Sequence, residues 1–466
     1  MKLLLLLLLL GGPTAAASGT AELPNIVVIM ADDLGHADVG FRGTTPIRTP
    51  NLDRLAADGV QLDRFYTQPF CSPSRASFLT GALPGDHSYR FASIPAGTPT
   101  LTERLRQSGY RTALVGKWHL GEAEEAHPLN KGFDHFYGHL GGYIDYFSKI
   151  GPRGHDWQRN GFDDHDREYA TTLLGREAVR VIEERDPLVP LFLFLSFNAP
   201  HFPPQAPEAL IRHYEERTLC RIDFSGRRCR YMAQVDSLDA EIGNVIDALR
   251  REGIERETLV LFLSDNGGST GSKASNLPLR GGKLTTFEGG IRVVALARWP
   301  GVISPGSATD QIIRIQDLWG TIETAAGLPR AAPSSSHDLW RALRDGSGVR
   351  QPPVYATTRP PECYGCRHGD PASSSLIDGD WKIIEIYRIN EQGDVRTGLE
   401  EFLLFNLRED PFEQNDLAAD EPWRLETMLH SLRRWQWHDE RWANEPIQCR
   451  PAPRAKGTRW SGQVGL

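Results

Sequence analysis

The sequence predicts an α/β protein: a doubly wound, mostly parallel sheet with helices on both faces, followed by a small C-terminal antiparallel sheet with a helix. Three observations predict it. Apolar runs at 25–30, 112–115, 191–197 and 259–263 are continuous rather than alternating, as in strands buried on both faces of a parallel sheet. Helical patterns separate them, which gives the strand-helix-strand alternation of a sheet covered by helices. Each run also ends in a polar cluster: Asp32-Asp33, Lys117 with His119, His201, and Asp265-Asn266. In open parallel sheets the ligand crevice lies at the carboxyl edge of the strands, so these four clusters are expected to converge.

In chain order, Met1-Lys2, eight leucines from Leu3 to Leu10 and Ala15-Ala16-Ala17 form the charged, apolar and small-residue parts of an export signal over 1–20. The apolar run is too short to span a bilayer, and no later stretch has the length for it. The first strand, 25–30, leads to a helix starting at Thr49 and Pro50, with Leu52, Leu55 and Ala56 on one face and Gly59 as its stop. Cys71-Ser72-Pro73-Ser74-Arg75 reads as a turn opening a short helix that Gly81 closes, with Cys71 at the positive, anion-favouring end. Thr100-Leu101-Thr102-Glu103 is a capping box for a helix ended by Gly109.

The stretch 127–167 mixes glycines, histidines and aromatics, among them Tyr143, Tyr146, His155 and Trp157, and is expected to form an irregular rim that sets substrate choice. Helices are expected over 169–184 and 233–251, the second carrying Val235, Leu238, Ile242, Val245, Ile246 and Leu249 on one face. Proline and serine around 331–353 mark a boundary, which places one unit at 21–345 and a smaller one at 346–466. The second holds a hairpin arm at 376–384, a strand at 402–407 and a helix at 421–442.

The 466 residues carry a formal charge of -8, which argues against nucleic acid or an anionic membrane surface as the main partner; an anionic substrate must meet a local cationic pocket. Of six cysteines, setting Cys71 aside leaves an odd number. Cys220 with Cys229 is the expected local bridge, Cys363-Tyr364-Gly365-Cys366 reads as a bridge, a metal pair or two free thiols, and with Cys449 the odd number means that at least one cysteine stays unpaired or bonds elsewhere. There is no Asn-x-Ser/Thr sequon to accept an N-glycan.

Asp32, Asp33, Asp265 and Asn266 offer hard oxygens, suited to calcium or magnesium rather than zinc. Either pair alone is an ordinary loop former; two pairs on two strand ends beside Arg75, Lys117, His119, His201 and Lys283 read as a metal site next to an oxyanion site.

Cys71-Ser72-Pro73-Ser74-Arg75 with Thr80-Gly81, Ala31-Asp32-Asp33-Leu34-Gly35, Gly116-Lys117-Trp118-His119-Leu120-Gly121, Ala199-Pro200-His201, Ser264-Asp265-Asn266-Gly267-Gly268 and Lys283 occur in one order, and in that order the chain resembles the type I sulfatases from residue 25 to about 417. Asp378-Gly379-Asp380-Trp381-Lys382 and Asp410-Pro411-Phe412-Glu413-Gln414-Asn415 match landmarks of the same family, and the segments before Cys71 and Lys283 look most like its arylsulfatase B branch, the N-acetylgalactosamine-4-sulfatases.

The resemblance implies an alkaline-phosphatase-like fold with the catalytic domain at 21–345. It implies that Cys71 is oxidised to Cα-formylglycine by a formylglycine-generating enzyme, and that Asp32, Asp33, Asp265, Asn266 and residue 71 hold one divalent cation, calcium. Arg75, Lys117 and His119 would hold the hydrated aldehyde, and Lys117, His201 and Lys283 the sulfate. A sulfated small molecule or sugar would be hydrolysed through a sulfo-enzyme intermediate, in a secreted, periplasmic or lysosome-like compartment. The competing readings are a phosphomonoesterase or phosphodiesterase of the same superfamily, and a non-catalytic binder of sulfated glycans.

Overall fold

The computed structural model describes residues 23–83, 93–217, 220, 225–348, 352–358, 371–388 and 401–437. The expected export signal, the Cys363 and Cys366 pair and Cys449 lie outside these residues. In chain order the elements are β1 (Asn25–Ala31), α1 (Pro50–Ala57), β2 (Val60–Tyr66), α2 (Cys71–Thr80), α3 (Leu101–Gln107), β3 (Arg111–Lys117), β4 (His135–His139), the two-residue strands β5 (Ile150–Gly151), β6 (Gly154–His155), β7 (Gln158–Arg159) and β8 (Phe162–Asp163), α4 (Ala170–Glu183), β9 (Leu191–Ser196), α5 (Glu208–Arg217), α6 (Arg227–Arg251), β10 (Thr258–Ser264), α7 (Glu288–Ile291), β11 (Arg292–Val293), β12 (Ala295–Arg298), β13 (Ser307–Arg314), α8 (Leu318–Ala325), α9 (Trp340–Asp345), β14 (Val354–Thr357), β15 (Pro371–Asp378), β16 (Trp381–Arg388), β17 (Glu401–Asn406) and α10 (Pro422–Trp437).

The large sheet runs β11-β2-β12-β10-β1-β9-β3-β4-β7-β8, with β13 also paired to β2. Its centre, β10-β1-β9-β3-β4, is parallel throughout; β12, β11, β7 and β8 join antiparallel. Strand β1 explains why helices cover both faces. Val27, Ile29 and Ala31 pack in one core with α1, α4 and α6, whereas Ile26, Val28 and Met30 pack in the other with α2, α3, α8 and α9.

The register sets the site. Ala31 lies opposite Ser264, Met30 opposite Ser196, and Gly116 opposite the same Ser196, so the residues following β1, β3, β9 and β10 emerge side by side on one edge. Gly116, at φ 117°, permits the tight β3–β9 approach: a Cβ there would fall 1.8 Å from the Ser196 carbonyl oxygen.

Several expectations shift. The segment 127–167 is not wholly irregular, since β4 within it is the fifth central strand and the four two-residue strands form small hairpins beyond it. Helix α6 begins at Arg227 rather than 233, drawing in Cys229, which is bonded to Cys220 as expected. The capping box at Thr100 and Glu103 is present, and Gly81 closes α2 in the left-handed conformation at φ 65°.

The C-terminal sheet is antiparallel in the order β14-β15-β16-β17. One face packs Ile377, Ile384 and Phe405 with Tyr66 of β2, Ile291 of α7 and Ile312 of β13, and the other packs Leu376, Ile383 and Leu404 with Met428 and Leu432 of α10. No helix among the described residues is long and apolar enough to cross a membrane.

Helix α1 has no side-chain cap of its own, because the Thr49 hydroxyl does not serve its first turn. Asp239 of α6 does so instead, accepting the Asn51 N–H at 3.1 Å, the Leu52 N–H at 2.8 Å and the Asn51 side-chain amide at 2.9 Å. Replacing it strands these donors in a buried seam. Asp239→Ala is expected to lower unfolding free energy by about 2 kcal/mol with an unchanged denaturant slope; a loss below about 0.5 kcal/mol, the range of an ordinary surface change, contradicts the capping role.

Candidate functional site

Cys71 is the first residue of α2 and is 3 % exposed. Its Sγ lies 3.2 Å from Asp32 Oδ1, 3.9 Å from Asp33 Oδ1 and 3.2 Å from Lys283 Nζ. Around it the structure brings together all the site residues the sequence singled out: Asp32, Asp33, Arg75, Lys117, His119, His201, Asp265, Asn266 and Lys283. All but His119, His201 and Lys283 are fully buried, and those three are partly exposed.

The carboxylates are matched one by one with cations. Lys117 Nζ donates to Asp32 Oδ2 at 2.5 Å, and Arg75 holds Asp265 Oδ2 through Nε at 3.0 Å and Nη2 at 2.8 Å while lying 3.7 Å from Asp32. Lys283 lies 2.7 Å from Asp33 Oδ1 and 2.8 Å from Oδ2, and His201 Nε2 is 3.6 Å from the latter. Arg75 also donates to Ser196 Oγ at 2.5 Å and the Lys117 carbonyl at 3.2 Å, so α2 is tied to the ends of β3, β9 and β10 at once.

Burial governs protonation. It raises Asp32, but Lys117, His201 and Arg75 outweigh it and hold that carboxyl well below its usual range. Asp265 behaves oppositely: burial and the Asp32 charge push it up to about 7. Burial, then the Asp265 and Asp32 charges, keeps the Cys71 thiol protonated. His119 is held neutral by burial and by Lys117, and His201 is lowered to about 4 by burial and Lys283. Burial works against the Lys283 ammonium, yet Asp33 leads the charges that raise it, so it stays cationic.

These residues fit a divalent cation. Ligating atoms of Asp32, Asp33, Cys71 and His201 lie within 4.8 Å of one another, and the buried Asn266 Oδ1 has no hydrogen-bond partner while its amide nitrogen donates to Asp33 Oδ1 at 2.7 Å. His201 was not among the expected ligands. Asp265, which was, turns Oδ2 toward Arg75 and accepts the Asp33 N–H on Oδ1 at 3.2 Å. Asp33 and His119 adopt left-handed backbone conformations, φ 66° and 58°, rare for residues with side chains and held by the surrounding contacts.

The rim supplies two aromatic layers. Tyr143 is exposed, stacks on His201 at a ring separation of 6.3 Å, and meets the exposed Phe202 edge-on. Gly142 before it passes so near His119 that a Cβ would fall 2.8 Å from Nε2. Trp157, by contrast, is buried and stacks on His139, so it packs rather than lines the opening. His139 went unnoticed in the sequence. It lies opposite Lys117 in the β3–β4 register, is buried with Nε2 unpartnered, and is held neutral at about 4 by burial against a weaker upward pull from Asp156. The signal that could have found it is strand β4 itself, a neighbour of the strand carrying Lys117.

The model of the Sulfatase family matches residues 24–328. The chain belongs to the sulfatase family. Arylsulfatase J of Mus musculus is 32 % identical over 497 residues, covering 96 % of this chain and 81 % of that protein. N-acetylgalactosamine-6-sulfatase of Mus musculus is 34 % identical over 374 residues, covering 73 % of this chain and 70 % of its own. These relatives carry the arylsulfatase J and 6-sulfatase names rather than the 4-sulfatase name the sequence suggested. Among solved structures, Ps i-CgsB, also crystallised in complex with k-i-k-neocarrahexaose, superimposes with a TM-score of 0.79 at 29 % identity over 92 % of this sulfatase and 96 % of that chain. The alkaline-phosphatase-like fold and a sulfuric ester hydrolase activity follow from this kinship.

Proposed function

We propose that this sulfatase hydrolyses the sulfate ester of a sulfated sugar, with small aryl sulfates as lesser substrates, through a Cα-formylglycine made from Cys71. The observation that carries the reading is the place of Cys71 Sγ, 3.2 Å from both the Asp32 carboxylate and the Lys283 ammonium at the head of α2. A buried thiol held protonated is a poor nucleophile, which supports its being a precursor rather than the reacting group. Cys71, Pro73 and Arg75 are all buried, which supports modification by a formylglycine-generating enzyme before the chain folds, during export through the leader at 1–20.

Asp32, Asp33, Asp265, Asn266 and residue 71 would hold calcium, with His201 Nε2 at the edge of the same cluster. Bound there, a divalent cation would supply positive charge beside the sulfate oxygens and would favour a deprotonated hydroxyl. A hydrated aldehyde offers one hydroxyl for attack on sulfur and a second whose deprotonation releases sulfate, which a serine could not do.

The chain's own groups do the rest. Arg75 and Lys117 fix the carboxylates beneath residue 71, and His119 is tied to the next residue, its carbonyl accepting from Ser72 Oγ at 3.1 Å. Lys117 and Lys283 present donors to the sulfate oxygens, and His201, whose Nδ1 faces the Phe202 carbonyl at 2.8 Å, adds Nε2 as a donor once it is protonated. Lys283, kept cationic by Asp33, can pass a proton to the leaving alkoxide, whereas the neutral His201 can accept one.

The substrate class is inferred from relatives named for a sulfated amino sugar, from a neighbour crystallised with an oligosaccharide, and from the exposed Tyr143 and Phe202 at the opening. An aromatic face beside a polar pocket suits the C–H face of a pyranose.

Two measurements test this reading. Chelation is expected to abolish turnover of 4-nitrophenyl sulfate, calcium to restore it, and Asp265→Ala to mimic the loss; full activity of chelated Asp265→Ala protein would overturn the metal assignment. Tyr143→Ala is expected to raise KM for sulfated sugars about three- to tenfold while barely changing the aryl sulfate. Equal losses on both substrates would make Tyr143 a packing residue, the role that Trp157 fills.

A further inference from the structure

Two motifs of the C-terminal unit, those containing Lys382 and Glu413, meet in the interior beside the site. Lys382 Nζ, on β16, lies 2.9 Å from Glu288 Oε1 and 2.8 Å from Glu413 Oε1, and all three side chains are buried. Glu413 Oε2 accepts the Glu288 N–H at 2.7 Å, and Tyr66 donates to Glu288 Oε2 at 3.1 Å. Arg292 stands 3.7 Å from Glu288. The ion cluster therefore joins the C-terminal hairpin, the loop after β17, and α7 at its first residue.

Glu288 ends the loop that carries Lys283. The same loop is held from the C-terminal side at two more points: Arg280 Nη1 donates to the Glu413 carbonyl at 2.9 Å, and Thr286 Oγ1 donates to Ser373 Oγ at 2.9 Å. Gly289 N–H closes back on the Arg280 carbonyl at 2.7 Å, so displacing Glu288 displaces both ends of the loop. On its outer side the loop borders a cleft of about 790 Å³ lined by Asn276, Leu277, Arg280, Phe412 and Gln414, where the Asn276 amide donates to the Gly281 carbonyl at 3.2 Å. Lys283 N–H donates to the Gly268 carbonyl at 3.2 Å and Leu284 N–H to the Pro69 carbonyl at 2.8 Å, so the middle of the loop is tied to the site while its two ends are tied to the C-terminal residues.

We propose that Lys382 is a positioning residue for Lys283: its buried ammonium locks Glu288 and Glu413 together and thereby lets the C-terminal sheet set where the sulfate-facing lysine stands. The role rests on the sulfate-binding part of the functional reading. A buried ammonium between two carboxylates is costly to form and costlier to break, because removing it leaves Glu413 without a cation and Glu288 with only Arg292, 3.7 Å away. Its geometry is accordingly unforgiving, and a small displacement of a reacting group is enough to slow a reaction.

The test uses the full, mature enzyme and three variants. Lys382→Met is expected to increase amide exchange across 280–291 with little change in 25–31 and 258–264, and to raise KM for 4-nitrophenyl sulfate by about tenfold. Glu413→Gln keeps the contact with the Glu288 N–H and is expected to shift both readouts the same way by less, and it carries the test should Lys382→Met not fold. Leu404→Ala, in the core facing α10, is the control: it lowers thermal stability while leaving exchange in 280–291 and KM unchanged. Unchanged exchange and KM in Lys382→Met, or a Leu404→Ala protein with the same KM rise, would overturn the proposal. Should the parent enzyme turn over no sulfate ester, the functional reading fails while the exchange measurement still decides whether Lys382 fixes the loop.

Discussion

The site depends on burying three carboxylates side by side at the edge of a parallel sheet. Asp32, Asp33 and Asp265 follow adjacent parallel strands, and the register that makes the sheet also forces their charges together. Burying them without compensation is prohibitive, and the remedy is local: Lys117 for Asp32, Arg75 for Asp265, Lys283 for Asp33. Burial and the Asp32 charge push Asp265 up, whereas Lys117, His201 and Arg75 hold Asp32 low, and the buried Asn266 Oδ1 beside them has no hydrogen-bond partner. A cation among these oxygens would engage it.

The rest of the fold serves that balance. Continuous apolar strands give a rigid edge, α2 places Cys71 and Arg75 over it, and left-handed Asp33 and His119 turn their side chains into it at a conformational cost the packing absorbs. The C-terminal sheet answers the same constraint at second hand, through a buried lysine between two glutamates beside the Lys283 loop.

The central strands β1, β3, β9 and β10 were legible because burial on both faces leaves an unbroken apolar signature, and their polar termini announced the site. Strand β4 was not, since His135, Tyr137, Gly138 and His139 read as loop, and only pairing with β3 makes them a strand. Strands β2 and β13 mix polar with apolar residues and are held mainly by each other and their neighbours. The placement of His139 opposite Lys117 and the ion cluster of Lys382 were invisible for a related reason: each arises from contacts between separate segments of the chain. Tyr143 and Trp157 looked equivalent as aromatic rim residues, and only burial separates them.

The central claim is that residue 71 of the active protein is no longer a cysteine. Mass analysis of the peptide spanning residue 71, from protein matured in the presence of a formylglycine-generating enzyme, measures this directly. A mass below that of the thiol peptide, with aldehyde reactivity, and a Cys71→Ser variant that fails to sustain multiple turnovers, is the predicted result. An unmodified thiol in fully active enzyme, or undiminished multiple turnover by Cys71→Ser, would contradict the account.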